Sequence, residues 1–133
     1  MRLAACLALF VIADTAIAAE QTFLFDVLRT RGYRASWEKL MKDVQPTPDW
    51  LMQFNRNFDG ASGEMVEIKV EDKPYQVSFV CEPTKCAEHK FEVLFDAAGD
   101  HAYGALGGKD TPPEFYGAPP PALQEALAKA LQK

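Results

Sequence analysis

The sequence predicts a single α+β domain, an antiparallel meander of four to five strands packed on N- and C-terminal helices. Three observations carry that prediction. Apolar residues recur at helical spacing before about residue 60, and from Met65 to Leu106 they alternate with period two. Helical spacing then returns after the three prolines at 119–121. At 133 residues the chain leaves little room for a second domain.

The first segment stands apart from the fold. Arg2 follows the initiator, Leu3 to Ala13 form an eleven-residue apolar run, and Ala16-Ile17-Ala18 places small residues at −3 and −1 of a cleavage point. This reads as a secretory signal peptide over residues 1–18, because a bilayer core needs ~20 apolar residues. A buried N-terminal helix is the competing reading, and the coincidence of the A-x-A site with the end of the run argues against it. Leu3-Ala4-Ala5-Cys6 resembles a lipoprotein box, but it leaves the apolar run uncleaved. Cleavage after Ala18 leaves the domain at 19–133. Its net charge stays at −5 because Arg2 and Asp14 cancel.

The elements of that domain follow in order. Thr22 is the expected cap of a short helix through Thr30, with Asp26 in its first turn and Gly32 breaking it. Ser36 is the expected cap of a second helix, Trp37 to Asp43, with Trp37, Leu40 and Met41 on one face. Pro48 to Met52 reads as one further helical turn, and the aromatics at this spacing read as core. Strands are expected over 65–70, 75–81, 89–96 and 101–106, with turns at 71–74 and 97–100. Residues 107–113 read as loop and Phe115-Tyr116 as an edge strand. Leu123, Ala126, Leu127, Ala130 and Leu131 define a terminal helix. All helices are expected on one face of the sheet, leaving the other more polar.

Composition excludes several function classes. The chain has 14 Lys+Arg against 19 Asp+Glu, and Arg29, Arg31, Arg34 and Arg56 form no basic stripe, so no nucleic-acid partner is expected. Beyond the leader no segment is apolar enough to span a membrane. No nucleophile elbow, metalloprotease helix, phosphate loop or dinucleotide fingerprint occurs. Glu82, Glu88 and Glu92 read as solvated charges, and His101 as a solvated turn residue. The chain therefore does not read as an enzyme, and no cofactor is expected. A zinc site from Cys81, Cys86, His89 and His101 fits no familiar spacing, so no metal is expected.

Loss of the signal leaves two cysteines, Cys81 and Cys86, which in an exported protein read as a disulfide. Their C-x-x-x-x-C spacing is not that of a redox dithiol. The bond fixes Glu82, Pro83, Thr84 and Lys85 on a hairpin, and His89 follows as a support that hydrogen-bonds the loop. A rigid protruding loop suits an inhibitor, since little ordering cost remains on binding. A stapled turn without a partner accounts for the same residues equally well.

Cys81-Glu82-Pro83-Thr84-Lys85-Cys86, followed by His89-Lys90 and a strand, resembles the C-K-P-H-D-C loop of the inhibitor of vertebrate lysozyme family, Ivy. Tyr33-Arg34-Ala35-Ser36-Trp37, Pro48-Asp49-Trp50, Tyr103-Gly104 and Phe115-Tyr116-Gly117 fall in matching order, so the likeness covers roughly residues 20–133. The resemblance implies a periplasmic inhibitor with a central antiparallel sheet, often a homodimer. It also implies that loop 81–86 enters the cleft of lysozyme, where the family's histidine meets the catalytic carboxylates. Cys81, Pro83 and Cys86 match. Thr84 stands at the histidine position, Lys85 at the acidic one, and Glu82 at the lysine. The expected partner is therefore a peptidoglycan-cleaving glycosidase, either lysozyme or the cell's own lytic transglycosylase. The expectation from Thr84 and Lys85 is weak inhibition of vertebrate lysozyme and better binding to the transglycosylase. A periplasmic structural or binding protein that keeps this fold without inhibiting is the second reading.

Overall fold

The computed structural model describes residues 22–133, so the signal peptide read over 1–18 lies outside the described residues. Five strands form one antiparallel sheet in sequence order: β1 (Val66–Val70), β2 (Lys73–Cys81), β3 (Lys90–Asp96), β4 (Ala102–Gly107) and β5 (Glu114–Tyr116). Four helices flank it: α1 (Leu24–Val27), α2 (Arg31–Asp43), α3 (Asp49–Asn57) and α4 (Pro121–Leu131). Among the described residues, no helix is long and apolar enough to cross a membrane.

Sequence alternation explains why helices cover both faces, where helices on one face were expected. Register pairs Val80 with Phe91 and Ser78 with Val93, placing Phe91, Val93 and Phe95 on the face beneath α1, α2 and α3. The apolar sets of β1 and β2, including Ile68, Val70 and Tyr75, point the opposite way, together with Leu94, Ala105 and α4. The central strand β3 therefore reads as a near-continuous apolar run, Phe91-Glu92-Val93-Leu94-Phe95, buried on both sides. Trp37 sits edge-on to Phe54 and Phe91, with centroids 6.0 and 5.8 Å away, while its Nε1 donates to Asn55 Oδ1 at 2.8 Å.

Several boundaries differ from the sequence expectations, each for a physical reason. Thr22 does not cap α1: its carbonyl accepts from Met65 N–H at 2.7 Å, tying it to the residues before β1. Gly32 does not break the chain, since α2 starts at Arg31 and takes the glycine into its first turn. Ser36 lies inside α2, buried, with its hydroxyl 2.8 Å from Gly99 O, and so fastens the helix to the β3–β4 turn. The expected helical turn at 48–52 extends through Asn57 because Phe54 also enters the core, and it stops at Phe58, whose φ is +54°. The β1–β2 turn contracts to Glu71 and Asp72, both left-handed (φ +50° and +63°), as a two-residue hairpin with right-handed strand twist requires. Lys73 and Pro74 consequently join β2, in its first two positions, which β3 does not pair.

Candidate functional site

The antiparallel ladder of β2 and β3 closes at Cys81 opposite Lys90, and the chain beyond it forms an eight-residue loop, 82–89. Glu82 N–H donates to His89 O at 3.0 Å, making the neck of that loop. Lys85 N–H donates to Glu82 O at 3.0 Å, closing a β-turn with Pro83 and Thr84 at its centre. Thr84 has φ +69°. Proline followed by a positive φ marks a type II turn, in which the third position suits glycine or asparagine. A β-branched residue there is strained, so the tip adopts a conformation that the surrounding loop imposes on it.

Three devices hold the loop. The Cys81–Cys86 disulfide joins its first strand to its far limb, with the Cα atoms 4.9 Å apart. Glu82 accepts a hydrogen bond from the His89 Nδ1 edge, linking the two limbs by side chains. His89 N–H and Glu88 N–H both donate to Lys85 O, at 2.9 and 3.1 Å, winding the return limb tightly. Pro83, Thr84 and Lys85 stay exposed, Glu82 is half-buried, and Cys81 is buried. The loop thus presents a hydroxyl and an ammonium at its tip.

A fourth support comes from residues 108–109, within the segment 107–113 that the sequence reads as loop. Lys109 N–H donates to Ala87 O at 2.8 Å, and Gly108 lies against the backbone of Ala87 and Glu88. A Cβ at Gly108 would fall 2.1 Å from Glu88 O and 2.5 Å from Glu88 C, so the position excludes any side chain. Gln132, just after α4, holds the same segment from behind through Gly108 O at 3.4 Å. The Gly107-Gly108 doublet was the available signal, since paired glycines in a loop can mark a close backbone approach.

Beside the loop lies an open cleft of about 650 Å³, walled by Trp50 and Leu106 and rimmed by Asp49, Glu82, Glu88 and Glu114. Lys109 lies among these carboxylates, so a partner reading this surface meets both signs of charge. Glu88 is a solvated charge as expected, but Glu92 is not: it is 4% exposed, on the α4 side of β3. The geometry offers rigidity, shape and hydrogen-bond donors. Among the described residues, no cluster of three or more His, Cys, Asp or Glu could hold a metal ion. His101 lies far along the meander, at the β3–β4 turn, against Asp96 Oδ2 at 2.9 Å.

Comparison with known proteins extends this picture. The family model described as inhibitor of vertebrate lysozyme (Ivy) matches residues 32–133. A Pseudomonas aeruginosa protein named inhibitor of vertebrate lysozyme is 28% identical over 128 residues, covering 86% of this chain and 81% of its own. An uncharacterised protein of the same organism is 30% identical over 113 residues, covering 76% and 70%. An uncharacterised Yersinia pestis protein is 28% identical over 79 residues, covering 59% of this chain and 49% of its own.

Proposed function

The chain belongs to the inhibitor of vertebrate lysozyme family, and from that premise we propose that it is an exported periplasmic protein that blocks a peptidoglycan-cleaving glycosidase with loop 81–86. The protein is an inhibitor by family and not an enzyme. The observation that carries the reading is the tip itself: an exposed type II turn, closed by a disulfide and held in a strained conformation. Such a loop loses little conformational freedom on entering a cleft, so contact energy is retained as affinity.

The residues at the tip set the target. Glycosidases work with a pair of carboxyl groups, one protonated and one ionised. Lys85 supplies an ammonium that can meet a catalytic carboxylate, and the Thr84 hydroxyl supplies one further donor. Thr84 lacks the reach and two-sided hydrogen bonding of the histidine at that position in the family loop, and Lys85, one position further on, brings a single ammonium. An enzyme with a single catalytic carboxylate, such as a lytic transglycosylase, is the better match. His89 keeps Glu82 turned back onto the loop, which leaves Lys85 as the forward charge.

The test is residual lytic activity against concentration of the oxidised protein, run in parallel on a vertebrate lysozyme and a bacterial lytic transglycosylase. Stronger inhibition of the transglycosylase, lost when Cys81 and Cys86 are both replaced by Ser, is the expected result. Nanomolar inhibition of lysozyme, unchanged by Thr84→His, overturns the role given to the tip side chains. Failure to inhibit either enzyme leaves the protein a periplasmic binding protein of this fold.

A further inference from the structure

On the sheet face opposite α1–α3, α4 ends before it has covered the whole sheet. An open cleft of about 630 Å³ remains there, walled by Val66, Val77, Phe79 and Ala130. Its lining also includes two charged side chains from β3, Lys90 and Glu92, which are only 7% and 4% exposed. Lys90 Nζ lies 3.4 Å from Glu92 Oε1 and 3.5 Å from Ala130 O, and 5.2 Å from the centre of the Phe79 ring. Both polar contacts are long, so the ammonium keeps donor capacity toward the cleft.

Stability is a weak reason for this pair. A buried ion pair is commonly no more stabilising than well-packed apolar residues of the same volume, because two charges must be desolvated. The position is also unlike its surroundings, since the neighbours on this face of β1 and β2 are valines and a phenylalanine. At the mouth, Lys109 and Lys133 are exposed, against the one carboxylate of Glu64. The cleft is therefore apolar in its walls, with ammonium groups at its floor and its mouth.

We infer that this cleft is a binding site for a carboxylate that carries a short apolar tail. The carboxylate sits on Lys90 and Glu92, and the tail lies along Val66, Val77 and Phe79. Burial pushes the Glu92 carboxyl up to about 7, with Lys90 pulling against that shift and Lys133 adding to the pull. Below that pH a neutral Glu92 donates alongside the Lys90 ammonium. Above it, Glu92 becomes a second anion facing the ligand, so binding weakens as pH rises. The other charged groups facing the cleft are Lys109, Lys133 and Glu64; β2 contributes no ionisable side chain there. A fatty acid and the C-terminal residue of a peptide share this chemistry.

The inference is independent of the loop reading, and its test contains no glycosidase. The oxidised chain is titrated with octanoate, acetyl-leucyl-leucine and octanol, following backbone amide shifts at pH 6 and pH 8. Octanoate is expected to move the amides of Val66, Val77, Phe79 and Lys90, and to bind more tightly at pH 6. Octanol should bind at least about tenfold more weakly, consistent with the loss of a charge-assisted hydrogen bond. Comparison of octanoate with the dipeptide decides which source of carboxylate is preferred, and binding of either supports the site. Lys90→Met with Glu92→Leu keeps an apolar floor and should abolish the preference for octanoate over octanol. Val66→Asp, at an exposed mouth position, tests the same point without touching the floor and should weaken octanoate. Equal binding of octanol and octanoate, no shifts with either acid, or unchanged octanoate affinity in both variants overturns the assignment.

Discussion

Replacing Gly108 by Ala is the sharpest perturbation of the loop that leaves the loop's own residues untouched. The added Cβ would lie 2.1 Å from Glu88 O, 2.5 Å from Glu88 C and 2.9 Å from Ala87 O. These are backbone atoms, so no flexible side-chain end can swing away. To reach ordinary contact the limb 87–88 must retreat by about 1 Å, which also pulls at the Lys109–Ala87 hydrogen bond of 2.8 Å. Overpacking of this kind costs about 1–3 kcal/mol, shared between the domain's stability and the position of the loop. If the loop takes most of it, inhibition of a sensitive glycosidase weakens about thirtyfold for 2 kcal/mol. Gly107→Ala is the matched control, since its nearest atom would be Leu131 Cδ1 at an ordinary 3.5 Å. The assay is a denaturant titration of both variants beside inhibition curves. Wild-type stability and inhibition in Gly108→Ala, or equal losses in the two variants, would show that the contact does not position the loop.

Four further outcomes follow from the same structure. The oxidised protein should show no free thiol, and Cys81→Ser with Cys86→Ser should cost only ~2 kcal/mol of stability for so short a loop while weakening inhibition far more; a large drop in melting temperature with intact binding would reverse that reading. Thr84→His should gain lysozyme inhibition by about 1.5–3 kcal/mol, one charge-assisted hydrogen bond, and it also removes a β-branched residue from a left-handed position. Folded Glu92 holds its proton up to about 7, so the folded state binds more protons than the unfolded one between the ordinary carboxylate range and that value. Stability should accordingly fall as pH rises through that window, by ~3 kcal/mol at most, and then level off; Glu92→Gln should flatten this part of the profile, and parallel profiles would refute it. Mass spectrometry of the exported protein should find Ala19 or Glu20 at the N-terminus, and retention of Met1 to Ala18 would sink the export argument.

Much of the fold was legible because its signals are local. The period-two pattern from Met65 onward and the apolar spacing of Leu123, Leu127 and Leu131 identify strands and a helix without knowledge of their neighbours. Boundaries were missed where a distant contact overrode local preference. Ser36 looks like a cap until Gly99, 63 positions away, offers its carbonyl. Thr22 looks like a cap until Met65 claims its carbonyl. The two-faced burial was readable in principle, because Phe91-Glu92-Val93-Leu94-Phe95 has no polar side to give to solvent. Glu92 obscured it, since a glutamate inside an apolar run suggests an exposed position. Within the candidate site, the cysteines and the tip residues are visible as a motif, whereas the support from Gly108 and Gln132 depends on chain segments that meet only in the folded state.

The order β1-β2-β3-β4-β5 means that every strand pairs with its neighbours in sequence, and β3 stands at the middle of the stack. Opening events in such a sheet begin at its margins, where β5 has three residues and a single partner. The loop hangs from β2 and β3, interior strands that are each paired on both sides. Breathing of the periphery therefore reaches the loop through residues 108–109, which lead from β4 toward β5 and hold its return limb. The neck of the loop is tied to the middle of the sheet, where Cys81 pairs with Lys90, so its two limbs part only when the central strands do.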